Sequence, residues 1–478
     1  MRTDILRARE WAVEEFGDID LGHASRTARL VRIATGAAMR PAGKITEVFS
    51  TAADLEGAYR WIENPSIGLD DVVDGIGRAC AARAAEHPFV FIPTDGSSLT
   101  LVDGQKLKGF GPIGPNEKGA RGVKVLGAIA VSPDGVPLGV AALEWWCRSP
   151  SPKRKGTRKR SNAARPTAEK ETQRWLDAVT NTTARFAAVA PQTRCWFQLD
   201  READSWPLLH HLAATGHEFT VRSSRNRRLA GSKPGKPRLL RNKLKSAPIV
   251  AKVEVDVSAG PRRTARRAHL TVRATTLTLE LRNPWTKTCR PLSVQAVWVR
   301  EQRTTPRGES PLDWLLFTNH KVDNAEDALL VVQGYCQRWR IEDFHKTWKS
   351  GACNVEQSQL RAASHVMKWA TVLAAVALRI ERLKLMARSQ ADLAASVELT
   401  PHEVKALVLC KRRNKKRTEP VPENSPTIGQ AVLWIAQMGG YTGKSSGGPP
   451  GAITIGRGLE RLRHRAAALE DLEFSRNS

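Results

Sequence analysis

Residues 89–146 constrain the fold more than any other part of the chain. They hold three apolar runs in quick succession, FVFIPTDGSSLTL, VKVLGAIAV and VPLGVAALEWW, with Pro133-Asp134-Gly135 between the last two. Pro, Asp and Gly together turn a chain back on itself, and β-branched and aliphatic residues suit a pleated, half-buried surface. The run therefore predicts three consecutive antiparallel strands. A fourth apolar run, RCWFQLD, follows at 194–200 and leads into READSWPLLHHLAATG, a helical pattern closed by Gly216. That is a β-α step, and with the three strands it predicts an α/β core.

The flanks read differently. Residues 1 to about 70 show short amphipathic helices, Ala8 to Phe16, Arg26 to Ala37 and Ala52 to Ile62, the last stopped by Asn64-Pro65. Residues 218–310 are rich in alternating β-branched residues (PIVAKVEVDV, HLTVRATTLTLEL, PLSVQAVWV) and read as a separate β-rich insertion. A short buried strand, WLLFTN, then precedes a helix from about Asn324 to Trp348. Beyond 355 the pattern is helical, with an apolar stretch from Val366 to Leu385, a charge run at 411–417, a Gly/Pro/Ser segment at 439–451 and a basic helix from Leu459 to Leu469. The expected division is 1–70, 71–372 and 373–478, in keeping with 478 residues.

Charge narrows the partner. Lys and Arg number 75 against 48 Asp and Glu, a formal net charge of +27, which calls for a polyanion such as nucleic acid. Part of the excess lies in Lys153 to Arg165, where KRKGTRKR is too poor in apolar residues to pack and reads as a mobile loop. No apolar run reaches the roughly 18 residues of a membrane span, and the amino terminus MRTDILRAREW carries charge where a signal peptide would be apolar. A soluble protein inside the cell is expected. The seven cysteines form no CxxC pair, which argues against a zinc ribbon or a disulfide frame and leaves oxygen as the ligand for any metal.

Three carboxylates stand where chemistry could use them. Asp95 and Asp200 close apolar strands, and Glu342 lies on the late helix. Mg²⁺ and Mn²⁺ prefer oxygen ligands, and two such ions on shared carboxylates can drive phosphoryl transfer. An Asp at a strand end is more often a turn or cap residue. On a continuous helix Tyr335, Arg338, Glu342 and Lys349 would fall within about a 60° arc, with Ile341, Phe344 and Trp348 on the opposite side. That stripe fits a metal ligand beside phosphate clamps, and equally a solvated charged face.

The spacing Y-x2-R-x3-E-x6-K, within YCQRWRIEDFHKTWKSGA, resembles the signature of the IS4 family of transposases, and the longer match resembles its Tn5-like members. Collinear segments extend the likeness over almost the whole chain: RTARL at 26–30, GAYRWIENP at 57–65, TDGSSL at 94–99, LEWW at 143–146, LDREAD at 199–204, VRS at 221–223, PLDWLLFT at 311–318 and MGGY at 438–441. The resemblance implies an RNase H-like catalytic core between a helical DNA-binding domain and a helical dimerisation domain. It implies that Asp95, Asp200 and Glu342 are a DDE triad binding Mg²⁺, or Mn²⁺ in its place, with two ions per site.

Tyr335, Arg338 and Lys349 would then contact phosphates near the cleaved end, Arg222 would touch DNA, and Trp314 would stack on a flipped base. Arg26 and Arg29 would read the terminal repeat. The implied reaction is cut-and-paste: hydrolytic nicking, hairpin formation, hairpin opening and strand transfer, by a homodimer acting on paired ends and on target DNA in a bacterial cytoplasm. Where the family often has aromatic residues and a His, this chain has Gly122-Val123-Lys124-Val125-Leu126. Gly443-Lys444-Ser445 is no phosphate loop, because Met438 stands where its first Gly belongs. A non-catalytic end-binding relative and a nuclease that does not join strands remain as alternatives.

Overall fold

The computed structural model describes residues 2–114, 119–149, 166–232, 238–257, 259, 263–283, 286–302, 305–415, 419–443 and 448–477. The basic stretch Lys153 to Arg165 and most of the Gly443-Lys444-Ser445 motif lie outside them.

The amino-terminal helices form where the apolar period placed them: α1 (Arg2–Phe16), α2 (Ala24–Met39), a single turn α3 (Ile45–Val48) and α4 (Ala52–Glu63). Thr51 caps α4 by accepting from the Asp54 amide at 3.2 Å. Ala12, Phe16, Leu30, Ala34 and Ile62 are buried among them. A further helix, α5 (Leu69–Ala84), carries the chain into the sheet. Its small residues Gly77, Cys80 and Ala81 allow close approach to the strands, and this short-side-chain face hides it from a periodicity reading.

The sheet has ten strands: β1 (Phe89–Leu101), β2 (Gly111–Pro112), β3 (Arg121–Val131), β4 (Pro137–Trp146), β5 (Arg194–Leu199), β6 (Glu218–Arg222), β7 (Ile249–Val257), β8 (Arg266–Arg282), β9 (Cys289–Glu301) and β10 (Asp313–Thr318). The order is β2-β3-β1-β5-β6-β10-β9-β8-β7, with β4 also on β3. β1, β3 and β4 run antiparallel as the Pro-Asp-Gly turn requires, while β5 pairs parallel with both β1 and β6. Helices α6 (Thr172–Val189) and α7 (Trp206–Ala214) supply the crossovers that parallel neighbours need. An antiparallel three-strand unit continued by two parallel strands is the RNase H-like arrangement.

Residues 218–310 depart from the expectation of a separate unit. Glu218–Arg222 is a core strand, and β9 pairs with β10 from Asp313↔Arg300 to Thr318↔Gln295, so β7–β9 extend the same sheet, with a short helix, α8 (Leu240–Lys245), before β7. Leu277, Leu279, Leu281, Val294 and Trp298 join one hydrophobic cluster with Phe197, Phe219 and Phe317. Alternation reports which side of a strand is buried; it cannot report which sheet the strand joins.

The helix expected from Asn324 to Trp348 is two, α9 (Ala325–Gln337) and α10 (Trp339–Lys349). They meet at Arg338, where the Arg338 amide donates to Tyr335 and the Ile341 amide to Arg338, both three residues back. This tightened turn shifts the helical phase. Tyr335 goes to the interior, whereas Glu342 and Lys349 stay half-exposed. On α9, Gly334 lies on the sheet so closely that a Cβ there would meet Phe91 at 2.6 Å.

α11 (Ala363–Ser389) is buried along most of its length. It continues into a helical cluster of α12 (Pro401–Asn414), α13 (Ile428–Met438) and α14 (Ala452–Asn477), the first two closed by capping boxes at Thr400/Glu403 and Thr427/Gln430. Lys368 on α11 donates to the Ile62 and Asn64 carbonyls at the end of α4, and Arg463 on α14 donates to the Ala38 and Met39 carbonyls at the end of α2. The two ends of the chain are thus packed on the core.

Candidate active site

The register of the parallel strands brings two of the carboxylates together. β1 and β5 pair from Phe89↔Arg194 to Thr94↔Leu199, so Asp95 and Asp200 are the next residues on neighbouring strands, about 5 Å apart at the backbone. β1 does not end there. Asp95 sits within a long strand, at the point where pairing with β5 stops and pairing with β3 continues to Leu101. Asp200 does end its strand; its carboxylate accepts from the Glu202 amide at 2.7 Å and caps a single turn of 3-10 helix.

Glu342 arrives from the first turn of α10, and Arg338 ties it to the sheet. The guanidinium donates to Asp95 at 3.3 Å and to Glu342 at 2.5 Å, four residues along the chain. Arg338 is itself buried. Burial, and then the Asp200 carboxylate, push the Asp95 carboxyl up to about 7; Arg338 and the Gly96 amide pull against this, and Glu342 adds to it. Arg338 therefore bridges two of the acids, Asp95 and Glu342, with Asp200 beside Asp95 on the next strand. Among the described residues, no three carboxylate, imidazole or thiol groups stand close enough to close round one ion.

A second group lies beside the acids. Tyr335 is buried with its phenol hydrogen-bonded by Arg222, and burial raises its pKa. Its ring lies 5.9 Å from that of Trp314, tilted by 60°. Arg222 ends β6 and also donates to the Asp313 carbonyl at 3.2 Å. Because β10 runs antiparallel to β6, its first residues reach the same edge as the last residues of β5 and β6. Asp95, Asp200, Glu342, Arg338, Tyr335, Arg222 and Trp314 thus occupy one end of the sheet. Trp314 is half-buried, neither a full core aromatic nor a free one.

The remaining candidates lie elsewhere. Lys349 faces Glu356 at 3.8 Å, and Glu356 also accepts from the Thr100 amide at 2.7 Å, which places this lysine along the far part of β1. Arg26 and Arg29 are on α2, in the amino-terminal module. Arg26 is braced there, donating to the Leu21 carbonyl at 2.9 Å and the Ser66 carbonyl at 3.4 Å, while its own carbonyl accepts from the Trp61 indole.

One residue that holds the site together escaped the sequence reading. Asp204, buried four positions after Asp200, accepts from the Ser224 amide at 2.7 Å, the Ser224 hydroxyl at 2.8 Å and the Arg227 guanidinium at 2.5 Å. It locks the turn that carries Asp200 to the segment after β6. The acid-rich LDREAD hinted at it, but its arginine partner lies 23 residues away and could not be paired from sequence.

Both flanks of the sheet match known domain families. Residues 8–67 match the model described as transposase DNA-binding, and residues 375–476 match the transposase Tn5 dimerisation domain. A transposase-type DNA-binding module and dimerisation domain thus lie on either side of an α/β core. By these two domains the chain resembles the Tn5-like transposases. Among the described residues no helix is long and apolar enough to cross a membrane.

Proposed function

We propose that this chain is a transposase that works by cut-and-paste through a DDE site in which Asp95, Asp200 and Glu342 would hold Mg²⁺ or Mn²⁺, as a pair of ions. The observation that carries the reading is that Asp95 and Asp200 come side by side on adjacent parallel strands while Arg338 bridges Asp95 to Glu342 on the helix. The donor set is all oxygen, as hard cations prefer, and burial, then the Asp200 carboxylate, push Asp95 up to about 7 against the pull of Arg338. Bound there, such ions would polarise phosphoryl oxygens and make water a nucleophile near neutral pH.

The chain's own groups then act on DNA. Arg338 serves two partners in turn, the carboxylates in the free protein and a phosphate in the complex, for which its planar fork is suited. Arg222 holds the Tyr335 phenol in place beside the acids. The half-exposed indole of Trp314 offers a platform for a base unstacked at the cleaved end, as hairpin formation requires. Lys349 and Arg29 add contacts further along the duplex. The dimerisation domain supports a complex in which two copies bring two ends together before joining them to target DNA.

The test is purified protein with Mg²⁺ or Mn²⁺ and labelled DNA carrying the repeats that border the coding sequence, beside Glu342→Gln. Nicking, hairpins and strand transfer that need the metal and vanish in the variant establish the reading. Binding without cleavage means an end-binding protein, and cleavage without joining means a nuclease.

A further inference from the structure

The arginines of the amino-terminal module are not equivalent. Arg26 is held by two carbonyls, Arg32 pairs with Asp54 at 2.7 Å, and Arg60 pairs with Glu56. Arg29, one turn from each of the first two on α2, forms no hydrogen bond or ion pair with any described residue. Yet it is not loose. Its guanidinium lies against α4 at Gly57, where a Cβ would come within 2.5 Å of Nη1, 2.8 Å of Cζ and 3.3 Å of Nε.

Glycine in the interior of α4 weakens that helix relative to alanine, so its presence there needs a packing reason. The approach of Arg29 is that reason. The missing side chain opens a shallow seat in which an arginine rests with its donors unspent. A side chain at position 57 would push the guanidinium out of the seat without touching the module's core, because only the flexible end of Arg29 would have to move.

We infer that Gly57 is a positioning residue for end recognition: it seats Arg29 so that its fork of N–H donors is presented to the terminal repeat in one orientation. Preorganisation of this kind matters for a bidentate contact to a base edge or phosphate, where direction as well as charge is read. It rests on the reading that Arg29 contacts terminal DNA.

The test measures binding of full-length protein to two labelled duplexes, the terminal repeat and a scrambled duplex of equal length, for wild type, Gly57→Ala, Arg29→Ala and the double variant. Thermal melting is followed alongside. Gly57→Ala should melt at the wild-type temperature or above, bind the terminal repeat about tenfold more weakly and bind the scrambled duplex unchanged. Arg29→Ala should lose a similar factor, and adding Gly57→Ala to it should cost nothing more. Independent, multiplying losses would overturn the positioning role, as would wild-type affinity in Gly57→Ala. If Arg29→Ala binds like wild type, the underlying reading of Arg29 fails. If Gly57→Ala melts lower, the double variant decides: melting restored once Arg29 is truncated supports the seat, and melting that stays low refutes it.

Discussion

Two carboxylate–arginine clusters lie at the same end of the sheet and are built in opposite ways. At Asp204 one carboxylate faces a guanidinium, a hydroxyl and an amide, all within 2.8 Å, and is fully sheltered. At Asp95 one guanidinium bridges two carboxylates with a third alongside, and burial, then the Asp200 carboxylate, push the acid up to about 7. The first arrangement satisfies every charge and holds a turn in place. The second leaves negative charge in excess, which makes it a poor structural device. Proximity of acids to an arginine thus has two different outcomes, set by the balance between them.

The largest expected effect separates the two by activity. Asp95→Asn or Asp200→Asn should reduce DNA cleavage by about 10³-fold or more, the scale of several kcal/mol of lost charge stabilisation. Melting should stay level or rise, because the change removes like-charge repulsion. A clear fall in melting temperature would mean that this cluster too is structural, and the contrast would collapse.

Asp204→Asn should do the reverse. It leaves the buried Arg227 without a counter-charge, at a cost of about 3 to 5 kcal/mol measured by urea unfolding. Any loss of cleavage should follow from misplacement of Asp200 and recover at low temperature, where the turn re-forms. A variant that unfolds like wild type but cannot cut would move Asp204 into the chemistry.

A third cluster, around Glu171, gives the smallest effect. Burial raises the Glu171 carboxyl, but hydrogen bonds from Arg148 and Lys124 outweigh it and hold the group down to about 2. Its folded pKa lies below the ordinary 4.5, so its contribution to stability is present above about pH 4.5 and is lost as the pH falls towards 2. The carboxylate is part-exposed, so the slope should be shallow. Comparing wild type with Glu171→Gln between pH 2 and 5 checks it: the variant should lack that part of the acid dependence.

The helices at both ends, the three-strand meander and the β-α step were legible because each follows from local periodicity and turn residues. Asp95 reads in the sequence as a strand end but lies within β1, whereas Asp200 after its apolar strand was legible in the same way. The break at Arg338 was not. A 100° wheel assumes an unbroken helix, and it put Tyr335 on the same face as Glu342, whereas the tightened turn buries the phenol against Trp314. Nor was the seat of Arg29 on Gly57, which needs two helices in contact.

The amino-acid order alone determined which segments are helix or strand, the excess of positive charge and which side chains were available as ligands, because these depend on neighbours along the chain. Only the tertiary structure decided that β7–β9 continue the core sheet, that Asp95 and Asp200 come side by side, that Arg338 lies between Asp95 and Glu342, and that Asp204 closes on Arg227. Those outcomes depend on strand register and helix packing, where residues up to hundreds of positions apart meet, and contacts of that range leave no periodic trace in a single sequence.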